Sequence, residues 1–393
     1  MKKTFLDLGQ QPITNSFLSC STPNDEFFYH LKVDFDDRTK LVSLANFVKP
    51  ELMFNDTYAH RASMSATMRE SFKLVASRLK EAFCPRKILE IGSNDGVFIR
   101  NFEKNTVVAV EPCGNLAALT DEMGYVTYPN FWSKSLAEAI VSSHGEMDLI
   151  YSANTMCHIP DLVEAFEAVA IALNEQGIFV FEDPSISSVI ANGSYDQFYD
   201  EHAHVFSVMA LECILRPCGL EIFDVESLST HGGSNRIYAQ KVGTGQHQIS
   251  LRVREQLARE TEIGLGAIET YKEFANRVQI SRRELVGLLT DLKAQGRKIV
   301  SYGATYKSAT IFNYCRIGTS LIDYIVDTTP NKQGKFSPGM HIPILSPEEG
   351  FDESVDYAFL GAWNFTPEIV QKEAVYIRRG GKFISHVPHV RII

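Results

Sequence analysis

Side chains able to do chemistry are densest in Tyr195-Asp-Gln-Phe-Tyr-Asp-Glu-His-Ala-His204. Tyr199, Glu201 and His202 place a phenol, a carboxyl and an imidazole on one short segment. Imidazole changes charge near neutral pH, so His202 is the candidate base, held in orientation by Glu201 or Tyr199. His204 lies two residues on and points the opposite way if the segment is extended. A lone histidine is more often a satisfied structural residue than a catalyst; three such groups together are harder to explain that way. His158, in Asn154-Thr-Met-Cys-His158, and His231, in His231-Gly-Gly-Ser-Asn-Arg236, are rivals on loops that reach the same region. The paired glycines beside His231, Ser234 and Arg236 suit a backbone approached closely by a ligand, although a plain turn fits them as well.

A second chemical stretch is Lys87-Ile-Leu-Glu-Ile-Gly-Ser-Asn-Asp-Gly96. Ile88 to Ile91 read as a buried parallel strand, because the run is apolar without alternation. The turn with Gly92 and Gly96 leads to a helix-like run, Val97 to Phe102, which Asn94 and Asp95 are placed to cap. A dinucleotide fingerprint would need glycines at 92, 94 and 97, and Asn94 and Val97 stand there instead. The Glu90-x-Gly92-x-x-x-Gly96 spelling is that of S-adenosylmethionine-dependent methyltransferases. The next strand, Thr106 to Glu111, ends in an acid about 20 residues on, where a ribose hydroxyl pair is held. An ordinary glycine-rich turn of an α/β domain remains the competing reading.

The elements that must position these groups follow an α/β plan. Leu6 to Phe17 is turn-rich, His30 to Phe47 reads as a hairpin, and Met53 to Ser63 is a polar, aromatic stretch of the kind that forms a lid. Ser65 to Phe83 has helical spacing, with Met68, Phe72, Val75, Leu79 and Phe83 on one face. Asp148–Ala153 and Gly177–Glu182 are further buried strands. Ligands sit beyond the carboxyl ends of parallel strands, so Asn154, His158, Glu182 and Asp183 are all expected near a cofactor. Residues 249–295 read as a charged helical connection. A second α/β unit opens at Lys298, where Tyr302 and Gly303 precede a helix and Lys307 can face a phosphate. Strands Ile322–Asp327, Val355–Leu360 and Lys382–Ser385 follow, and Asp327 ends its strand as Glu111 does.

Length and composition set the outer limits. The 393 residues suit two or three domains, with 45% hydrophobic and 22% charged residues in the range of globular proteins. A net charge of −10 without a basic run disfavours nucleic acid and anionic membranes as partners. No apolar stretch reaches spanning length, and no signal peptide is evident. Seven scattered cysteines without C-x-x-C read as reduced thiols of a cytoplasmic protein.

Taken together, these residues resemble the S-adenosylmethionine-dependent C-methyltransferases that build branched deoxysugars on nucleotide carriers. The likeness runs the length of the chain. It rests on Leu6-Asp-Leu-Gly with Pro12 and Asn15, Glu90-Ile-Gly-Ser-Asn-Asp-Gly96, Asn154 with His158-Ile159, and Tyr199-Asp-Glu-His202. It continues through His231-Gly-Gly-Ser234, Tyr302-Gly-Ala304 with Lys307, Asp327 with Pro330, and Trp363-Asn364. The resemblance implies a small N-terminal domain or lid (1–68), a Rossmann-like S-adenosylmethionine-binding domain (69–245), and a helical connection with a second Rossmann-like domain (246–393). The sugar nucleotide would lie between the last two. Expected cofactor residues are Glu90, Gly92, Asn94, Asp95, Gly96, Glu111, Pro112, Phe131 and Asn154. Tyr199, Glu201, His202 and His158 would be catalytic; Tyr58, His60, His231, Ser234, Arg236, Tyr302, Lys307 and Asp327 would hold substrate.

Two departures stand out. Members carry two C-x-x-C pairs that bind a structural zinc, whereas here Asp36 and Thr39 precede Leu41-Val-Ser-Leu44, so no metal is expected. The catalytic segment reads Tyr-His-Glu-His in the family and has Asp200 at its second position here; the paired lid tyrosines are Tyr58 and His60. The expected reaction is removal of a proton beside a 4-keto group of a nucleotide sugar, followed by methylation of that carbon, by a monomer or homodimer. Competing readings are an O- or N-methyltransferase, an NAD-dependent nucleotide-sugar oxidoreductase, and a catalytically silent binding protein.

Overall fold

Three sheets organise the chain, seen in a computed structural model that describes residues 1–21 and 25–393. The first is antiparallel, built from β1 (Lys2–Pro12), β2 (Phe28–Asp36), β3 (Val42–Leu44) and a two-residue strand, His204–Val205, from far along the chain. The expected hairpin is β2 and β3, with Val33 opposite Leu44. The turn-rich reading of Leu6–Phe17 is corrected: its first half lies in β1, bulged between Thr4 and Leu6 and again between Asp7 and Gln10. Gly9, at φ 72°, sits in the second bulge, which explains why a strand carries a turn-like composition.

The second sheet has seven strands. In chain order they are β4 (Ile88–Ile91), β5 (Val107–Val110), β6 (Val126–Tyr128), β7 (Met147–Ala153), β8 (Leu173–Pro184), β10 (Leu220–Leu228) and β11 (Ser234–Lys241), where β9 is His204–Val205. In space the order is β10-β11-β8-β7-β4-β5-β6, parallel from β6 to β8 and antiparallel through β11 and β10. Chain order reverses direction at β4, so the crevice beyond β4 and β7 is a topological switch point. Both faces of β4 are covered. Ile88 packs toward Phe72, Val75 and Leu79 of helix Ala66–Phe83, whereas Leu89 and Ile91 pack into the opposite core with Ile140 and Phe166. Truncating Leu89 there would cost about 2–5 kcal/mol. Ser65 caps that helix by accepting from the Met68 N–H.

The third sheet holds β12 (Ile299–Tyr302), β13 (Ile325–Val326), β14 (Ile344–Leu345), β15 (Tyr357–Leu360), β16 (Lys382–Ser385) and β17 (Arg391–Ile392), ordered β14-β13-β12-β15-β16-β17. Five of these are parallel, giving a second Rossmann-like unit. Helices Leu251–Ile263 and Ile268–Ala294 connect the two units. The longer one buries Tyr271, Phe274, Val278, Leu285 and Leu289 in a core shared by the first and third sheets. The small N-terminal region is therefore cemented to both larger units, and β9 ties it into residues assigned to the cofactor unit.

Candidate functional site

The turn after β4 faces the switch point. Gly92 and Gly96 both have φ 76°, a left-handed conformation costly for other residues, and a Cβ on Gly92 would overlap the Thr155 side chain. The N–H groups of Gly92 and Ser93 donate to the Val110 carbonyl, tying the turn to β5. Glu111 follows that strand, buried, and accepts from the backbone N–H of Asn94 at 2.8 Å and of Cys113 at 2.9 Å. Burial raises its pKa and these donors oppose the rise. Each oxygen keeps a lone pair for a ribose hydroxyl. Glu90 is buried beside it, and burial followed by the Glu111 charge pushes its pKa well up, so it faces the cavity as a neutral acid. An acceptor carboxylate, a glycine turn without side chains and the apolar Pro112, Phe131 and Phe72 fit the two ends of S-adenosylmethionine.

Asn94 and Asp95 do not cap a helix. Beyond the turn only a single 3-10 turn forms, Ile99–Asn101. Instead Asn94 accepts from the Ala62 N–H at 2.9 Å, and Asp95 takes the N–H and hydroxyl of Ser63. Gly114 donates to Asp56 and Asn115 to the Tyr58 carbonyl. Residues 56–63 are thus stapled across the Gly92–Gly96 turn as a cover, which is why polar residues crowd that stretch.

The segment Tyr199–His202 lies past β8 under this cover. His202 Nδ1 donates to the Gln197 carbonyl at 2.8 Å, which leaves Nε2 bare to accept from the Tyr199 phenol at 2.6 Å. Burial, then the neighbouring His158, holds the His202 pKa well below its usual value. Of the two orienting partners expected, Tyr199 bonds His202; Glu201 instead accepts from the Tyr58 hydroxyl at 3.1 Å, and its Oε1 has no partner. The His158 ring stacks between Phe54 and His202, both at 5.4 Å between centroids, with Nε2 unpartnered. Burial lowers its pKa to about 3. Tyr306, from the third-sheet unit, stacks on Tyr199 at 5.3 Å.

The far wall belongs to the C-terminal unit. Lys307 Nζ lies 3.3 Å from the His231 carbonyl, 3.4 Å from Asn364 Oδ1 and 4.9 Å over the Trp363 ring. Burial lowers its pKa to about 8, against the pull of Asp196. Asp327 accepts from the N–H groups of Ala304 and Thr329, and Lys332 Nζ stands 3.8 Å from it. Tyr302 donates to Glu373.

One cavity of about 930 Å³ joins all three regions, large for a ligand site. Of the residues expected from the sequence, it is lined by Tyr58, His60, Glu90, Gly92, Asn94, Glu111, Pro112, Phe131, Asn154, His158, Tyr199, Glu201, His202, His231, Tyr302, Lys307 and Asp327. Asp95, Gly96, Ser234 and Arg236 do not line it, nor do Glu182, Asp183 and His204. Arg236 is spent on a buried ion pair with Glu182 at 2.7 Å, and Ser234 donates to Thr230. His204 meets the Pro160 carbonyl. Phe54, Tyr306 and Lys332 line the cavity and carry no motif. Cys157, His158 and His202 bring possible metal-ligand atoms within 4.8 Å of one another, but both His202 nitrogens are already bonded, to Gln197 and to Tyr199.

Comparison with known proteins adds to this geometry. Residues 229–388 match the model for a C-methyltransferase C-terminal domain, and residues 58–225 that for a methyltransferase domain. Residues 1–54 match the model for "Putative zinc binding domain". The sequence predicts a member without the zinc-binding cysteines; the match shows that the family's zinc-binding domain is nevertheless present. Its residues do not fit a zinc ion: only Cys20 and His30 offer a thiol or imidazole there, Cys20 is exposed and His30 bonds Asp7. The chain is 30% identical over 394 residues to the C-methyltransferase NovU of Streptomyces niveus, covering 99% of this chain and 93% of that one. Among solved structures, an S-adenosylmethionine-dependent methyltransferase of Clostridium acetobutylicum aligns at 16% identity and TM-score 0.35, over 46% of this chain and 94% of that one. One from Anabaena variabilis aligns at 16% and 0.35, over 43% and 82%.

Proposed function

The chain belongs to the S-adenosylmethionine-dependent C-methyltransferases, and on that premise we propose that it methylates the carbon beside the ketone of a nucleotide-linked 4-keto deoxysugar. The observation that carries the reading is the single cavity, which puts the bare Nε2 of an uncharged histidine between the cofactor turn and a wall bearing Lys307 and Lys332. S-adenosylmethionine supplies an electrophilic methyl group. Glu111 and the Gly92 turn hold it at one end; Lys307, Lys332 and Asn364 offer a cationic and polar seat for the nucleotide at the other.

Between them, His202 takes the proton from the carbon next to the ketone. Its tautomer is fixed by the Gln197 carbonyl, so the reactive nitrogen is always the one facing Tyr199. Tyr199 and His158 are placed beside it to donate to the developing oxyanion. Stapling of residues 56–63 over the turn keeps water from the carbanion. Alignment is the remaining requirement of methyl transfer, and one cavity shared by both ligands provides it.

Incubating the protein with a panel of nucleotide-linked 4-keto sugars and methyl-labelled cofactor tests the proposal. The expected product carries label on carbon and has lost deuterium from the position beside the ketone. Label on oxygen or nitrogen with deuterium retained would assign an O- or N-methyltransferase instead.

A further inference from the structure

Asp200 stands where the related segment has a histidine, and it is 2% exposed. Its carboxylate is gripped from the N-terminal sheet's end by Thr14, whose N–H lies 3.2 and 3.3 Å from the two oxygens and whose hydroxyl donates to Oδ1 at 2.6 Å. The next residue, Glu201, is equally buried, lines the cavity, receives the Tyr58 hydroxyl on Oε2 and has no partner for Oε1. Asp200 lies outside the cavity lining, and its negative charge disfavours ionisation of the neighbouring Glu201.

The groups facing the pair are the phenols of Tyr58, Tyr199 and Tyr306 and the thiols of Cys113 and Cys157 around Glu201, with Tyr29 facing Asp200. None is a cation. Burial raises both carboxyls; three Thr14 contacts offset it at Asp200, and only one phenol does so at Glu201. The single negative charge therefore rests on Asp200.

We propose that Asp200 is a positioning residue that keeps Glu201 a neutral acid, and that the O–H on Glu201 Oε1 donates to the ketone oxygen of the substrate. The role of the ketone rests on the function proposed above. As His202 takes the proton from carbon, the electron pair of the C–H bond moves into the C–C bond and the ketone oxygen takes the Glu201 proton. When that carbon spends its pair on the methyl group, the C=O bond re-forms and the proton returns to Glu201. The proton on His202 leaves to solvent, so one proton is released per methyl transferred.

Asp200→Asn keeps the shape and removes the charge. Glu201 would then ionise at lower pH, and the loss of turnover as pH rises should move down by roughly one to two pH units, the size of a charge–charge interaction between adjacent side chains at an effective dielectric near 20. Thr14→Val, which weakens the grip on the Asp200 anion, should move the limb the same way by less. Glu201→Gln can donate a hydrogen bond but cannot hand over a proton, so turnover should fall and the residual rate should lose the limb. A limb unmoved in Asp200→Asn, or unchanged in Glu201→Gln, overturns the proposal. A second readout needs no substrate: infrared titration of the ligand-free protein should show, beside the Glu90 signal, a protonated-carboxyl band at pH 7 that is lost in the Glu201→Gln difference spectrum and titrates earlier in Asp200→Asn. If that band is missing from the parent protein, Glu201 is not the acid. If it behaves as stated while no carbon of any keto sugar is methylated, the Asp200–Glu201 relation stands and the proposed substrate falls.

Discussion

At the scale of single residues, the site turns on which groups carry charge. His202 is buried and stays unprotonated across the neutral range, with its lone-pair nitrogen on Tyr199. His202→Asn should lower turnover about 10²–10⁴-fold, the usual contribution of a general base. S-adenosylhomocysteine affinity, read by calorimetry, should change little, and exchange of the hydrogen beside the ketone in deuterated water should stop. His158→Asn should retain that exchange. The reverse pattern would hand the base to His158, whose unpartnered Nε2 lies in the same stack.

At the scale of elements, the turn between β4 and the next helical turn is the most constrained piece of backbone. Gly92 needs a positive φ and leaves no room for a Cβ beside Thr155. Gly92→Ala combines left-handed strain of about 1–3 kcal/mol with displacement of Thr155 from the ligand side of the turn. S-adenosylhomocysteine should bind at least about tenfold more weakly, since about 1.4 kcal/mol is a factor of ten. Equal affinity by calorimetry would show that the turn does not hold the cofactor. Gly96, outside the cavity wall, tests something different, because a Cβ there meets Thr120 and Ile99 in the interior.

At the scale of the molecule, burial of neutral histidines links stability to pH. His202 and His204 are buried and their folded pKa values are depressed by that burial, to about 4 for His204. Unfolding frees both to take up a proton below the unfolded value near 6.5, so the unfolded state gains protons as pH falls and stability drops. The slope should be about 1.4 kcal/mol per pH unit for each histidine, over the window from about 6.5 down toward 4. Denaturant unfolding at pH 7 and pH 5.5 checks it, and His204→Gln should flatten the dependence. Because long helix Ile268–Ala294 shares one core with the N-terminal and C-terminal sheets, the loss should appear as one transition across all three units.

Much of this was legible in the chain. The strands at 88–91 and 382–385 form where the apolar runs stand, and the positive-φ glycine turn stands where its spelling put it, because turn geometry and strand ends are local matters. The cluster Tyr199, Glu201, His202 was visible for the same reason. Tertiary structure alone decided the rest. Arg236 looked like a ligand-facing cation until its antiparallel register put it opposite Glu182 across β8 and β11. Asn94 and Asp95 looked like helix caps until a segment more than thirty residues earlier supplied the N–H groups they accept. Thr14 meets Asp200 across 186 positions, and Tyr306 reaches Tyr199 from another sheet. Pairings at such separations depend on how whole elements pack, and no local periodicity encodes them.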